Sequence, residues 1–319
     1  MESRYSRQET YIGKSNQRIL SGSTVAIVGI GAIGTGTASL LARAGVGNII
    51  LIDRDVIELN NLQRQTLFNE SDIGKPKASQ AKKHLEKINS GIKITAFNDD
   101  LNNENISNYI PKNIKLILDC TDNMETRFLI NDYALKNNIP WVYSAGIQSK
   151  LALMNIIPKK TPCFSCIFAT PASLETCQTV GVLNSTTSMV SSLQVSEAIK
   201  ILLNDNPSRY FIRINLEENN FEKLRIKKRK GCPACNDEYI YLNSINPQGI
   251  LKFCSTGNYQ IKIKVNLDKL KKDLSKIGKL EDFGSCIKFK NMLIFSNRCL
   301  IKAESEKQAK VLVSKYIGN

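Results

Sequence analysis

The stretch that decides the fold is Thr24–Arg64, TVAIVGIGAIGTGTASLLARAGVGNIILIDRDVIELNNLQR. It opens with a short apolar run rich in β-branched residues, Val25–Val28, and a second such run, Ile49–Ile52, follows a segment with helical spacing of apolar residues. Between the first run and the helix stands Gly29–Gly34, which has the pattern G-x-G-x-x-G. The stretch therefore predicts a strand–helix–strand unit with a glycine-rich turn after its first strand.

The glycine turn and the acidic residue after the second strand form a candidate nucleotide site. Glycines let the backbone turn tightly and approach a phosphate, and the N-terminus of the next helix presents unpaired N–H groups and a positive dipole end. Asp53 directly follows the second strand, where a carboxylate can accept hydrogen bonds from ribose hydroxyls. NAD, FAD and ATP are all compatible with this pattern.

The remainder of the first 240 residues alternates strands with helices. This alternation predicts an α/β fold, a doubly wound, Rossmann-like, mainly parallel sheet covered on both faces, with ligand at the carboxyl ends of its strands. The predicted elements are a helical arm over 1–22, helices over 76–88, 124–136 and 187–203, strands over 92–97, 115–119, 141–143 and 151–157, a hairpin of 210–216 with 221–226, and a long loop over 160–184.

After Cys235 the pattern changes to that of a small α+β unit. Tyr259–Val265 alternates as a strand, Leu267–Ile277 is amphipathic, Cys286–Ile301 indicates two or three short strands, and Glu304–Tyr316 is a final helix. We expect an α/β domain over 1–240 and a separate small domain over 245–319.

Composition bounds the class of protein and its partners. The 319 residues are 42% hydrophobic, the start MESRYSRQET is polar, and no apolar run approaches the roughly 20 residues that span a bilayer, so we expect a cytoplasmic protein without a membrane partner. The net charge of +15, concentrated in part in Lys223–Lys230, favours anionic partners: nucleotide, nucleic acid or an acidic protein. A solvated, lysine-rich surface explains the same charge.

Four of the nine cysteines form two C-x-x-C pairs, Cys163 with Cys166 and Cys232 with Cys235. Two such pairs have the spacing of a tetrahedral Cys₄ zinc site, which would fasten the long loop to the later hairpin without taking part in chemistry. A redox dithiol is the alternative.

Several charged residues follow predicted strand ends, where phosphates would lie. Arg64 and Lys77 are candidates to neutralise a triphosphate, although each could also be a solvated charge. Asp122 follows a buried strand and could hold Mg²⁺; alternatively it is the N-cap of the next helix, with Glu125 three residues on. The single histidine, His84, is interpreted as structural or solvated.

An ordered set of short motifs resembles the MoeB/ThiF family, relatives of the adenylation half of ubiquitin-activating enzymes, over roughly residues 4–238. The motifs are Tyr5–Gln8, the glycine turn, Ala44–Gly47, Asp53-x-Asp55, Asn61–Arg64, Gly74–Lys77 and Asp119–Asn123.

The resemblance implies that the protein binds ATP and Mg²⁺ and the C-terminal Gly-Gly tail of a small ubiquitin-like sulfur-carrier protein, and forms an acyl-adenylate and pyrophosphate. It implies a homodimer in which Arg7 enters the partner's active site, Mg²⁺ at Asp122, and structural zinc at the four cysteines. The nucleotide-binding residues it implies are Gly29, Gly31, Ala32, Gly34, Asp53, Asn60, Asn61, Leu62, Gln63, Arg64, Lys77, Asp122 and Asn123.

Two further positions are tied to the resemblance. Cys177 matches a crossover-loop cysteine that in some members bonds covalently to the activated carrier, and the alternative is a small buried residue. The C-terminal region resembles an extra domain of some members, which often carries Asp-Gly-Arg before an aliphatic strand; here Ser296–Ile301 lacks the Asp and the Gly.

The predicted function is ATP-dependent adenylation of a sulfur carrier, with the pathway left open among molybdopterin synthesis, thiamine thiazole synthesis, tRNA thiolation and protein tagging. Three alternatives remain at this stage: an NAD-linked oxidoreductase on the same fold, a relative that adenylates a base of tRNA, and an inactive binding scaffold.

Overall fold

The computed structural model describes residues 3–168, 180–244, 250–252 and 258–318. The chain divides into two units, Met1–Ser244 and Ile245–Asn319, each with most of its contacts inside itself. An eight-stranded sheet forms the centre of the first unit and a six-stranded sheet that of the second.

The eight-stranded sheet has the order β3-β2-β1-β4-β5-β6-β7-β8. The first five strands in this order, from β3 across to β5, pair in parallel with their neighbours. From β5 across to β8 the neighbouring strands pair antiparallel. The chain winds outward from β1 in both directions, so β1 is the switch point at which such sheets bind ligands. The strands are β1 Thr24–Val28, β2 Asn48–Ile52, β3 Lys93–Phe97, β4 Leu116–Asp119, β5 Trp141–Ile147, β6 Lys150–Ile156, β7 Phe211–Asn215 and β8 Asn220–Leu224.

Helices cover both faces of this sheet, as its apolar strands require. Val25 and Ile27 of β1 pack into one core cluster and Ala26 and Val28 into another. The helices of this unit are α1 Ser6–Ile12, α2 Lys14–Ser21, α3 Ala32–Ala44, α4 Lys77–Ile88, α5 Ile106–Tyr109, α6 Met124–Lys136, α7 Phe164–Ile167, α8 Asn184–Leu203 and α9 Ile240–Asn243. The doubly wound α/β fold class predicted from the sequence is confirmed.

Two predictions for this unit were wrong in detail. The strand expected over 141–143 continues to Ile147 as β5, because it forms a long antiparallel pair with β6. The stretch 160–184, expected to be a loop throughout, contains α7, whose Phe164 is fully buried against Trp141 and Tyr143. Tertiary packing of that aromatic side chain supports a helix too short to show a periodic pattern.

Within its described residues, the second unit is a six-stranded antiparallel sheet of order β11-β12-β13-β14-β10-β9, with two helices. Its small α+β character is as predicted, but β9 and β11 were not foreseen because three-residue strands carry little pattern. Its elements are β9 Ile250–Lys252, β10 Asn258–Lys262, α10 Leu267–Leu274, β11 Leu280–Asp282, β12 Ile287–Phe289, β13 Met292–Ile294, β14 Arg298–Lys302 and α11 Glu306–Tyr316.

None of the helices within the described ranges combines the length and the apolar character that crossing a bilayer demands.

Candidate active site

Three neighbouring parallel strands end at the same edge of the large sheet. Val28 at the end of β1 is in register with Ile52 of β2 and with Asp119 of β4. The turn after β1 is fastened to both neighbours, since Gly29 N donates to Ile52 O at 2.8 Å and Cys120 N donates to Val28 O at 2.8 Å. The loops after β1, β2 and β4 therefore meet over the switch point of the sheet.

The glycines of the first loop are required for different reasons. Gly29 has φ of +87°, and a Cβ there would lie 2.6 Å from the carbonyl oxygen of Cys120. A Cβ on Gly34 would lie 1.9 Å from the carbonyl oxygen of Gly29, whereas a Cβ on Gly31 would meet no heavy atom within 4 Å. Packing requires glycine at positions 29 and 34. The open space at Gly31 leaves room for a ligand close to the backbone.

Asp53 is fixed beside this turn. Its Oδ2 accepts a hydrogen bond from Ile30 N at 2.5 Å and its Oδ1 accepts one from Asp55 N at 2.7 Å. Burial raises the pKa of Asp53, and the nearby charge of Lys77 opposes that rise. Each carboxylate oxygen keeps a lone pair for a further donor, such as a ribose hydroxyl.

Lys77, the first residue of α4, lies at the same edge and is only 7% exposed. Its Nζ is 3.1 Å from Asp55 Oδ2, and its backbone N donates to Asp55 O at 3.0 Å. Burial by itself would lower the pKa of Lys77, but the carboxylates of Asp55 and Asp53 outweigh it and the pKa is raised. Lys77 is therefore a fixed cation at neutral pH.

The segment that carries Asn60, Asn61 and Arg64 forms a compact turn built on the 3₁₀-helix Leu59–Asn61. Asn61 is buried, accepts from Glu58 N at 3.2 Å and donates to Asn60 Oδ1 at 2.6 Å. Arg64 Nη1 donates to Asn60 O at 2.8 Å, which bends the guanidinium back over the turn. Leu62 is half-buried and Gln63 is exposed.

The loop after β4 presents Asp122 to solvent at its tip. Asn123, not Asp122, is the N-cap of α6, because Asn123 Oδ1 accepts from Thr126 N at 2.8 Å. The alternative role of Asp122 as the helix cap was therefore wrong, and its carboxylate keeps its lone pairs for other partners.

A buried ion pair that sequence reasoning missed shapes this loop. Asp119 is fully buried, and its Oδ2 lies 3.2 Å from Arg127 Nε. Arg127 Nη2 also donates to Thr121 O at 2.6 Å, while Asp119 Oδ1 accepts from Thr121 N at 3.0 Å. The sequence contains a signal for this ion pair, because an aspartate at the end of a buried apolar strand needs a cation nearby.

Asp122 lies close enough to Arg54, Lys77 and Arg127 to affect their pKa values. Burial lowers the pKa values of Arg54, Lys77 and Arg127, and nearby carboxylates raise them further than burial lowers them. Asp122 is among those carboxylates for all three. The structure thus brings Asp53, Lys77 and Asp122 to one edge of the sheet, next to the glycine turn.

Gln194 of α8 is a second residue that sequence reasoning missed. Its side chain is fully buried, accepts from Thr37 Oγ1 at 2.8 Å and donates to Asp119 O at 2.9 Å. It links α3, which carries the glycine turn, to the end of β4. Its sequence signal is weak, because the buried face of α8 carries other polar residues, among them Thr187, Ser191 and Glu197.

The two cysteine pairs converge, although they lie 69 positions apart along the chain. The Sγ–Sγ distances are 3.7 Å for Cys163–Cys166, 3.5 Å for Cys163–Cys232, 3.6 Å for Cys166–Cys235 and 3.4 Å for Cys163–Cys235. All four sulfur atoms lie within 4.8 Å of one another, close enough to hold a metal ion between them. None of the four forms a disulfide.

One predicted site residue of the described part of the chain, Arg7, lies elsewhere. Arg7 is exposed on α1, and α1 is fastened by Gln8 Nε2 to Ala44 O at 2.9 Å, just before β2 begins. That is the amino edge of the sheet, so Arg7 does not reach the carboxyl-edge site of its own chain. Cys177 falls outside the described residues.

Comparisons with known proteins agree with this architecture. A model described as the ThiF family matches residues 5–234. The sulfur carrier protein ThiS adenylyltransferase of Bacillus subtilis (strain 168) is 33% identical over 98% of this chain and 92% of its own length. The protein of that name from Escherichia coli (strain K12) is 34% identical over 73% of this chain and 94% of its own length. The crystal structure of E. coli MccB with ATP has the same fold, with a TM-score of 0.65 and 24% identity over 74% of this chain and 75% of that one.

Proposed function

Because this chain belongs to the ThiF family, we propose that it is an ATP-dependent adenylyltransferase that activates the C-terminal glycine of a small ubiquitin-like sulfur-carrier protein. The observation that carries the proposal is the meeting of the glycine turn, Asp53, Lys77 and Asp122 at one edge of the sheet. We assign residues 1–240 to adenylation and leave 245–319 as a separate small domain of unassigned role.

The chemistry suits this set of residues. A carrier tail ends in a carboxylate that is ionised at neutral pH, so its attack on the α-phosphate of ATP needs no general base. Its attack forms the bond from carboxylate oxygen to phosphorus and breaks the bond to the leaving pyrophosphate. The barrier lies in bringing anions together, and fixed cations lower it.

The predicted nucleotide-binding residues have distinct roles in this scheme. The N–H groups at Gly31 and Ala32, at the start of α3, face the phosphates, while Asp53 accepts from the ribose. Lys77 and Arg64 neutralise the phosphates. The remaining positions of the predicted nucleotide set, Asn60, Asn61, Leu62, Gln63 and Asn123, shape the two loops that surround the phosphates.

Asp122 fits a Mg²⁺ ligand, because its carboxylate is exposed and is free of the capping role that Asn123 fills. Bound there, the metal would supply positive charge to the phosphates. Asp122 would hold it, and Arg127, through Thr121 O, would keep the loop in position.

The four cysteines fit zinc. Tetrahedral Zn–S bonds of about 2.3 Å place the sulfurs about 3.8 Å apart, close to the separations in this cluster. Zinc would join α7 to the segment around the 3₁₀-helix Ala234–Asn236 and would take no part in the reaction. Metal analysis should find one zinc per chain, lost in Cys232→Ser and retained in Cys299→Ser, a buried cysteine of the second unit. A chain without metal would overturn this assignment.

We infer a homodimer in which Arg7 serves the partner's site, since α1 holds Arg7 away from the site of its own chain. Tyr11, on the same helix, is 92% exposed and offers an apolar surface to a second copy. Arg7→Ala and Asp122→Ala proteins should each be inactive, and a mixture of them after subunit exchange should recover about a quarter of the wild-type activity, because half of the dimers then hold one intact site. No recovery would place Arg7 outside the mechanism.

ATP–pyrophosphate exchange tests the activity, with and without candidate carriers ending in Gly-Gly. A ThiS-like carrier is the first candidate, because that is the carrier in the names of the relatives. Exchange that requires one carrier and vanishes in Asp122→Ala would establish the function and name the pathway. Absence of exchange with every carrier would overturn it. The cytoplasmic location stays a prediction.

A further inference from the structure

Asp55 is tied to both ends of the candidate nucleotide site. Its backbone N donates to Asp53 Oδ1 at 2.7 Å, on the ribose side. On the phosphate side its Oδ2 accepts a hydrogen bond from Lys77 Nζ at 3.1 Å, and its backbone O accepts one from Lys77 N at 3.0 Å. The proposed function gives Asp53 and Lys77 roles but leaves Asp55 without one.

The backbone itself sets this arrangement. Ile57 N donates to Lys75 O at 3.0 Å, Gly74 N donates to Ile57 O at 2.8 Å, and Val56 forms an antiparallel bridge with Pro76. These backbone contacts join the segment after β2 to the segment before α4. They place Asp55 opposite Lys77 without the help of a ligand.

The two partners differ in their access to water. The Lys77 side chain is 8% exposed and the Asp55 side chain is 48% exposed. A cation as buried as Lys77 needs a permanent counter-charge, whereas a half-exposed carboxylate can return to water at little cost. Lys77 has three N–H donors, so incoming phosphate oxygens can take over the contact that Asp55 makes.

We propose that Asp55 is a positioning residue: it neutralises Lys77 while the nucleotide site is empty and yields it to the nucleotide phosphates. This inference rests on the proposed function, because it needs phosphates at Lys77. When pyrophosphate departs, Asp55 recaptures Lys77, which keeps the buried cation compensated at each stage and favours release of the product.

Binding of tripolyphosphate without added Mg²⁺ tests the proposed exchange of partners at Lys77 directly, because this probe has the phosphates of ATP without ribose, base or Mg²⁺. Isothermal titration calorimetry on the full chain, in buffer without chelator or added Mg²⁺, should show that Asp55→Asn binds tripolyphosphate roughly tenfold more tightly than wild type, since the competing carboxylate is gone. A merely structural role of Asp55 would weaken binding, not strengthen it. If the Asn variant is insoluble, Asp55→Ser removes the same charge.

Two controls separate the proposed exchange from a general charge effect. Asp100→Asn removes a carboxylate that pairs with the neighbouring Arg54 at 3.0 Å, and its affinity should stay within about twofold of wild type. Lys77→Met should lose most of the binding, and the double variant of Asp55 and Lys77 should show no gain over Lys77→Met.

Each outcome bears on the inference. Equal or weaker binding by Asp55→Asn, or an equal gain in Asp100→Asn, overturns it. If wild type still performs carrier-dependent exchange in that case, only the role of Asp55 fails and the proposed function stands. Failure of the wild-type protein to bind tripolyphosphate overturns the inference together with the placement of phosphates at Lys77.

Discussion

Two ion pairs at the same edge of the large sheet have nearly equal lengths and different surroundings. Arg127 Nε lies 3.2 Å from Asp119 Oδ2, with side chains 8% and 0% exposed. Lys77 Nζ lies 3.1 Å from Asp55 Oδ2, with side chains 8% and 48% exposed. The first pair is sealed in the protein, while the second opens to solvent on its acidic side.

The difference in burial indicates that the first pair holds a loop in place and that the cation of the second pair can change its partner. A sealed pair cannot release either partner, because the remaining charge would be buried and uncompensated. It is therefore suited to holding the Asp122 loop in one position. A pair with one solvated partner can open, since water or another anion compensates the charge. Distance alone does not distinguish the two; burial does.

The largest expected effect is on stability and comes from the sealed pair. Arg127→Met leaves Asp119 buried without its cation and should lower the free energy of unfolding by about 3–5 kcal/mol. Lys77→Met leaves a carboxylate that water can reach and should cost about 1 kcal/mol. Urea denaturation of both variants measures the contrast, and equal losses would contradict it.

Lys77 should matter more for activity than for stability. Lys77→Met should lower carrier-dependent ATP–pyrophosphate exchange by about 10²–10³-fold, because a fixed cation facing the developing charge is lost, while the urea midpoint changes little. Lys75→Met is the matched control: Lys75 is two residues away and pairs with Asp72 at 3.6 Å, so its exchange rate should stay within about twofold. A similar loss in both variants would remove the special role of Lys77.

A third carboxylate extends the comparison, because backbone N–H groups hold it. Asp132 is 2% exposed and accepts from Tyr241 N at 2.8 Å and from Leu242 N at 3.4 Å. Burial raises the pKa of Asp132 to about 6, against the opposing effect of those hydrogen bonds. The protonated form is thus favoured in the folded protein, and its stabilising contribution is complete below about pH 4 and lost as the pH rises through about 6.

Asp132→Asn should therefore gain stability relative to wild type as the pH rises from 5 to 7.5, by about 1–3 kcal/mol, because the amide never ionises. Urea denaturation across that range measures the difference between the two proteins. A difference that is independent of pH would show that Asp132 titrates normally.

The smallest effect is expected at the surface of the second unit. Lys271 Nζ lies 3.0 Å from Asp282 Oδ2, a separation like those of the two pairs at the sheet edge. Both groups are solvated, so Asp282→Asn should leave the urea midpoint unchanged. A loss as large as that of Arg127→Met would mean that distance, not burial, sets the strength of these pairs.

Much of the site followed from local pattern. The glycine turn, Asp53 after β2, Lys77 at the start of α4 and Asp122 after β4 are each adjacent to the end of an element, and apolar runs located those ends. Parallel strands bring such ends to one edge, so the sequence order of the motifs predicted their proximity.

Two contacts that sequence reasoning missed join segments that are well separated along the chain. Gln194 donates to Asp119 O from 75 positions away. Asp55 pairs with Lys77 because backbone hydrogen bonds join the segment after β2 to the segment before α4. Neither has a neighbour in the sequence that reveals its partner. The short strands β9 and β11 and the helix α7 escaped for a related reason, because packing holds them in place where propensity does not.

By itself, the sequence determined the order of the longer strands and helices, the family and the residue types of the site, because periodicity and motif spacing are local properties. Only the tertiary structure decided which charges are sealed and which can exchange. Burial depends on every element that packs around a group, and the two ion pairs at the sheet edge have nearly equal lengths but differ in the burial of the aspartate.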